Sequence, residues 1–283
     1  MNASPFDLAK KIQEATGDLP GMPHVAALAL ETLGSENATA ADLNRVISQD
    51  SSLASHVLRV SNCSFYARNG AIKTVTQAIV TVGFNQVRTI LVTAALRNLY
   101  PKLGPHERLL WEHSVGCGLA ARVLAKKTRA VNPEQAFLVG LLHDIGKTAL
   151  LLKLPEKMVP IMDRISQGRA KSFCELEEEA FGFDHAAVGQ LLARKWKFGE
   201  EIEDAIGHHH FPEEARVVPN LCQVVALANS CCHALGLGPM RIPDLDLGAL
   251  PSAAALKLSP ADLVELRTEI QECYAAERTT LVA

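Results

Sequence analysis

The stretch Phe137-Leu138-Val139-Gly140-Leu141-Leu142-His143-Asp144-Ile145-Gly146-Lys147 sets an imidazole and a carboxylate inside an otherwise apolar run. Burying an unpaired carboxylate costs on the order of several kcal/mol. A chain that keeps one there must pair it with something. Further imidazoles stand at His113, His185 and the triplet His208-His209-His210. Imidazole and carboxylate together are the donors of divalent-metal sites. The set reads as a site that holds, or once held, a divalent metal between helices.

Composition agrees with a helical setting. The 283 residues suit one large or two modest domains, and 48% of them are hydrophobic. Aromatics make up only 5%, with Leu and Ala dominant, which favours packed helices over sheets. Net charge is −3 and no run of Lys or Arg stands out, which argues against a broad nucleic-acid surface. No apolar run is expected to reach membrane-spanning length. The opening Met1-Asn2-Ala3-Ser4-Pro5-Phe6-Asp7 lacks a charged and then apolar leader. The expectation is a cytoplasmic protein without membrane attachment. Seven scattered cysteines, among them Cys63 and the pair Cys231-Cys232, show no CxxC spacing and read as reduced, mostly buried thiols.

Helix signals recur along the chain. Leu19-Pro20-Gly21-Met22-Pro23 is a rigid lead-in to a helical pattern that Gly34 should end. Thr39, Asp50 and Thr74 are expected N-caps for the next three helices, and a longer run covers Val87 to Leu99. Asn62 is expected to hydrogen-bond the loop that follows its helix. Pro101-Lys102-Leu103-Gly104-Pro105 is the best internal boundary. Beyond it the pattern predicts helices near 106–127, 133–153, 156–168, 172–180, Asp184 to about Trp196, 200–210 and 217–235. Residues 236–251 read as a loop or linker, and Ser259-Pro260-Ala261-Asp262 starts a final helix. The resulting parts are 1–105, 106–235 and 236–283. Trp111 and Trp196 are expected core anchors, and Glu177-Glu178-Glu179 a solvated face.

Several spaced motifs, in order, resemble the HDOD family, a bacterial branch of the HD-domain superfamily. The lead-in at Leu19–Pro23 resembles the family's opening proline motif. Asp50-Ser51-Ser52-Leu53 through Asn62-Cys63 resembles its next helix, with Ser51 for the usual proline and Cys63 for the usual serine. Ile72–Ile79 with Gly83, Trp111-Glu112-His113-Ser114 and Gly140–Lys147 follow. Glu179–Gly182 with Asp184–Gly189, then His209-His210 and Pro212, complete the series.

The resemblance implies an all-α HDOD-type helical bundle with an HD-domain-like C-terminal half, related to metal-dependent phosphohydrolases. It maps His113, His143 and Asp144 onto the first metal's ligands and His185, His209 and His210 onto those of a second. The closing Asp of the first set falls on Asn229, a neutral and weaker ligand. The "GYP" of cyclic-dinucleotide phosphodiesterases is replaced by Phe211-Pro212-Glu213-Glu214. The implied cofactor is one or two divalent ions, Fe or Mn ahead of Zn. Asp144 would anchor the chemistry and Lys147 would meet a phosphate oxygen, unless Lys147 is merely solvated. Glu179 would point back towards the histidines. His208, His24, His56, His106 and His233 have no place in the motif.

Three functions stay open on this footing. The first is a regulatory signalling module acting on a separate protein partner or a nucleotide or phosphate ligand. The second is a metal-dependent phosphohydrolase, and the third a redox or gas sensor built on an iron pair.

Overall fold

The computed structural model of the chain describes residues 5–33, 38–62, 71–100, 103–169 and 172–281. Gly34, Cys63, Pro101 and Lys102, which the sequence marks as a helix stop, a motif end and a boundary, lie outside these. The architecture is all-α, with no strand among the described residues. The chain divides into two units, each discontinuous in sequence. One gathers residues 1–21 and 103–271; the other gathers 22–102 and 272–283. This division differs from three consecutive parts, because the two ends of the chain each join a unit built mostly from elsewhere.

Helix α1 (Pro5–Thr16) starts the chain and belongs to the larger unit, where Ile12 is buried. The smaller unit follows with α2 (His24–Leu33), α3 (Ala40–Ile47), α4 (Ser51–Ser61), α5 (Val75–Val82) and α6 (Phe84–Asn98). Its helix starts obey the expected caps. The Thr39 hydroxyl accepts from the Asp42 N–H, Asp50 from Ser52 and Leu53, and Thr74 from Gln77. After α4 the Asn62 amide donates to the Ile72 carbonyl and accepts from the Ile72 N–H, both at 2.8 Å, pinning the loop as expected.

The larger unit is built on α7 (Pro105–Thr128), whose residues from Trp111 to Ala125 are almost all buried. Against it pack α8 (Pro133–Leu142) and α9 (Ile145–Lys153). The single helix expected over 133–153 is broken at His143-Asp144. That pair forms the turn between α8 and α9, and both side chains are buried. The run Pro133–Lys153 is long and apolar enough to cross a membrane, contrary to the reading of the sequence, and 89% of its apolar window is buried inside the protein.

Next come α10 (Pro155–Ser166), α11 (Phe173–Phe181), α12 (His185–Lys195) and α13 (Glu200–Gly207). Helix α12 lies so close on α9 that a side-chain carbon on Gly146 would overlap the His185 carbonyl. The expected helix over 200–210 ends at Gly207, which leaves the His208–His210 triplet in the following turn. Helix α14 (Pro219–Leu235) closes the core; the expected linker holds one 3-10 turn, Leu247–Ala249, and a short α15 (Pro251–Ala255) follows at its end. Helix α16 (Pro260–Leu281) begins at Ser259, whose hydroxyl accepts from the Asp262 N–H while its own N–H donates to the Asp262 carboxylate.

Trp111 is a core anchor, 1% exposed. Trp196 is only half-buried and serves differently: its indole N–H donates to the Pro20 carbonyl at 3.0 Å. With Lys195, which bonds Asp18 and the Leu19 carbonyl, it ties the proline-rich lead-in to the end of α12.

Candidate metal centre

Four segments of the chain deliver their side chains to one buried point. Asp144 is 2% exposed at the turn after α8, and it is ringed by His113 from α7, His143 beside it, His185 at the start of α12, and His209 and His210 after α13. Within this ring, Asp144, His185, His209 and His210 place one donor atom each within 4.8 Å of one another, and so do His113, His143 and Asp144.

The backbone fixes which nitrogen each ring presents. His143 Nδ1 lies 2.7 Å from the Gly140 carbonyl, His209 Nδ1 2.7 Å from that of Ile206, and His113 Nδ1 2.9 Å from that of Leu237. A carbonyl can only accept, so in each neutral ring the proton sits on Nδ1 and the Nε2 lone pair faces inward. Burial holds all three histidines below the usual imidazole value, His143 well below it, which keeps them neutral. His210 is also held well below, by burial and then by His209 and His185.

His185 is held differently. Glu177, fully buried on α11, accepts from the His185 backbone N–H at 2.8 Å and from its Nδ1 at 2.5 Å. Burial alone would lower the His185 pKa, but Glu177 and then Asp144 together outweigh it and raise the ring to about 9. Its Nε2 faces Asp144 Oδ1 at 3.2 Å and His210 Nε2 at 2.9 Å. Burial would raise the Asp144 pKa too, yet His143 and Lys147, and then the nearby His185 and His209 rings, hold it well below the usual carboxylate range.

Metal-binding chemistry fits this arrangement. Inward lone pairs of His143 and His209 converge on the Asp144 carboxylate, donors spaced as a divalent ion needs them. His143 Nε2 and Asp144 Oδ1 are buried without a hydrogen bond among the described residues. Rings oriented by backbone carbonyls and, at His185, by a carboxylate are the outer support that metal-ligating histidines have.

Other residues fall less simply. Asn229 does face the site: its amide lies 3.0 Å from His113 Nε2. Since that nitrogen carries the lone pair, the amide turns by a half-turn to donate to it. Lys147 is 2% exposed, so it is not a solvated side chain. It donates to Asp144 Oδ2 at 2.7 Å and lies 4.2 Å above the Phe173 ring. His208 turns away to Asp204. Glu179 is exposed, and the glutamate that meets the histidines is Glu177, so the expected solvated face is also revised. Spacing could have shown this, because Phe173, Leu176 and Glu177 form the one buried stripe of α11.

His233, which has no place in the motif, also reaches the site. It follows Asn229 by one turn of α14, and its ring stacks on His113 with centroids 5.2 Å apart and an 11° tilt. The i,i+4 spacing from Asn229 was the available signal.

Residues 19–212 match the HDOD domain. The chain belongs to the HDOD family. The matched span of this HDOD protein stops short of Asn229 and His233 on α14. An HDOD domain protein of unknown function from Geobacter sulfurreducens has 25% sequence identity, 97% of each chain covered and a TM-score of 0.82. A candidate phosphohydrolase from Shewanella amazonensis SB2B shares the fold at 24% identity, over 96% of this chain and 98% of its own, with a TM-score of 0.69. An uncharacterised protein of Treponema pallidum (strain Nichols) is 24% identical over 225 residues, 78% of the HDOD chain. The chain spans 44% of that relative's length.

Proposed function

We propose that this HDOD protein is a regulatory module. Its buried centre binds a divalent ion and, through it, a phosphate-bearing ligand such as a nucleotide, and the loaded state is read by a separate signalling protein in the cytoplasm. The observation that carries this reading is Asn229, a neutral amide bonded to His113 where a catalytic relative would close the site with a carboxylate. Such a site keeps donors enough to hold an ion and loses charge needed to drive turnover.

A divalent ion at Asp144 would polarise a phosphoryl oxygen and lower the pKa of bound water. The chain's own residues do the rest. Glu177 orients His185, and the carbonyls of Gly140, Ile206 and Leu237 orient the other rings. Lys147 keeps an ammonium beside Asp144, where it would meet a phosphate oxygen of the ligand. His210 is half-buried and precedes the exposed Phe211, the side from which a ligand would enter.

A metal-dependent phosphohydrolase is the second reading, favoured by the Lys147–Asp144 and Glu177–His185 pairs. One experiment separates the two. Metal content is measured on protein purified without chelator, with Asp144→Ala as the control, and phosphoester turnover is then assayed on the loaded protein. Bound metal that Asp144→Ala loses, with no turnover, supports the regulatory reading. Turnover that disappears in Asp144→Ala favours the hydrolase, and absence of metal after reconstitution removes both.

A further inference from the structure

We propose that the centre takes a single divalent ion, on the His185–His209–His210 side of Asp144, and that the Lys147 ammonium stands in for a second cation on the His113–His143 side. The inference rests on the metal reading above and goes beyond it in number and place.

Asp144 divides its oxygens. Oδ2 faces His143 Nε2 at 3.4 Å and His113 Nε2 at 3.5 Å, and it already accepts from Lys147 Nζ at 2.7 Å. Oδ1 faces His185 Nε2 at 3.2 Å and His209 Nε2 at 3.6 Å and has no hydrogen bond among the described residues. Donor spacing alone would admit an ion on either side. Charge does not. On the Oδ1 side the His185 ring gives up its proton to an ion, as a ligating imidazole must, whereas on the Oδ2 side the Lys147 ammonium stays in place, and a dication beside it in a buried, low-dielectric pocket would meet strong repulsion.

The donor inventory points the same way. On the Oδ2 side the fourth group is Asn229, which brings no charge and is engaged with His113. On the Oδ1 side a second carboxylate, Glu177, stands directly behind His185. Three imidazoles and a carboxylate complete a four-donor set there. His210 is also the only one of these ligands with solvent access, so an ion reaches this side first.

The test is stoichiometry, read without reference to activity. Full-length, chelator-stripped protein is loaded with Mn²⁺, desalted, and its bound metal counted by mass spectrometry, with circular dichroism confirming helix content. The parent should hold one equivalent. His113→Ala and His143→Gln should each keep it, whereas His210→Ala should weaken binding at least tenfold. Lys147→Met combined with Asn229→Asp, which removes the ammonium and restores the carboxylate, should raise the count to two. Two equivalents in the parent would overturn the inference while leaving the metal reading intact. So would one equivalent lost in folded His143→Gln and kept in His210→Ala. No Mn²⁺ bound by the parent would overturn the metal reading itself.

Discussion

Gly146 and His185 meet backbone to backbone: the α9 glycine leaves no room for a side-chain carbon between itself and the His185 carbonyl. This contact sets the height of α12 on α9, and with it the position of the His185 ring over Asp144. Gly146→Ala should therefore destabilise the protein by about 3 kcal/mol, at the upper end of overpacking costs. It should also reduce metal retention. Gly21→Ala, with open space around the glycine, is the control and should stay within about 0.5 kcal/mol of the parent. Urea denaturation of both variants, with metal analysis, checks the pair.

Glu177→Gln removes a charge and little volume. The His185 ring loses one of the two carboxylates that hold it at about 9 and falls towards neutral. Outer-shell losses of this kind cost about 10- to 100-fold in metal affinity. Competition against a chelator of known affinity measures the change. An unaltered affinity would mean that His185 needs no orienting partner.

His56 gives the smaller unit an acid sensitivity of its own. It is 8% exposed on α4, and its Nδ1 accepts from the Arg59 guanidinium at 2.9 Å. Burial, then Arg59 and Arg97, push its pKa down to about 4. The folded form binds this proton less readily than the unfolded chain, whose histidine titrates near about 6.5. The contribution to stability is complete above about pH 6.5 and is lost as pH falls towards 4, amounting to about 3 kcal/mol. Denaturation at pH 7.5 and 4.5 should show a smaller acid loss in His56→Gln than in the parent.

Trp196→Phe keeps the ring contact with Phe198 and deletes the bond to the Pro20 carbonyl. The expected cost is about 1 kcal/mol, the usual net worth of a hydrogen bond. Amide exchange should accelerate in residues 18–21, with α7 unchanged. Uniform acceleration would argue against a local tether.

Much of this was legible because local chemistry and tertiary structure agree. Thr39, Asp50, Thr74, Asp184 and Ser259 all cap the helices they announce, since a capping oxygen needs only neighbouring N–H groups. Helix α1 escaped notice although Ser4-Pro5-Phe6-Asp7 repeats the form of Ser259-Pro260-Ala261-Asp262. Its apolar face is narrow, and its partners lie far along the chain, as in the bond from Lys11 to the Gly182 carbonyl. The break at His143-Asp144 was hidden because both residues tolerate helix; what stops the helix is the three-dimensional demand of the site. Glu177 and His233 were hidden for a related reason. Each acts by touching a histidine from another part of the chain, a relation that no spacing within its own segment describes.

The interleaving of the two units also bears on how the chain is made. A ribosome releases residues 1–21 long before residues 103–271, the main body that completes their unit. Residues 22–102 emerge early too, but their unit includes 272–283, synthesised after the whole of 103–271. Neither core can close fully while the C-terminal helix is still in the exit tunnel. Nascent apolar faces on α1 to α6 must therefore wait for most of translation, a period in which a holding chaperone has the clearest access to them.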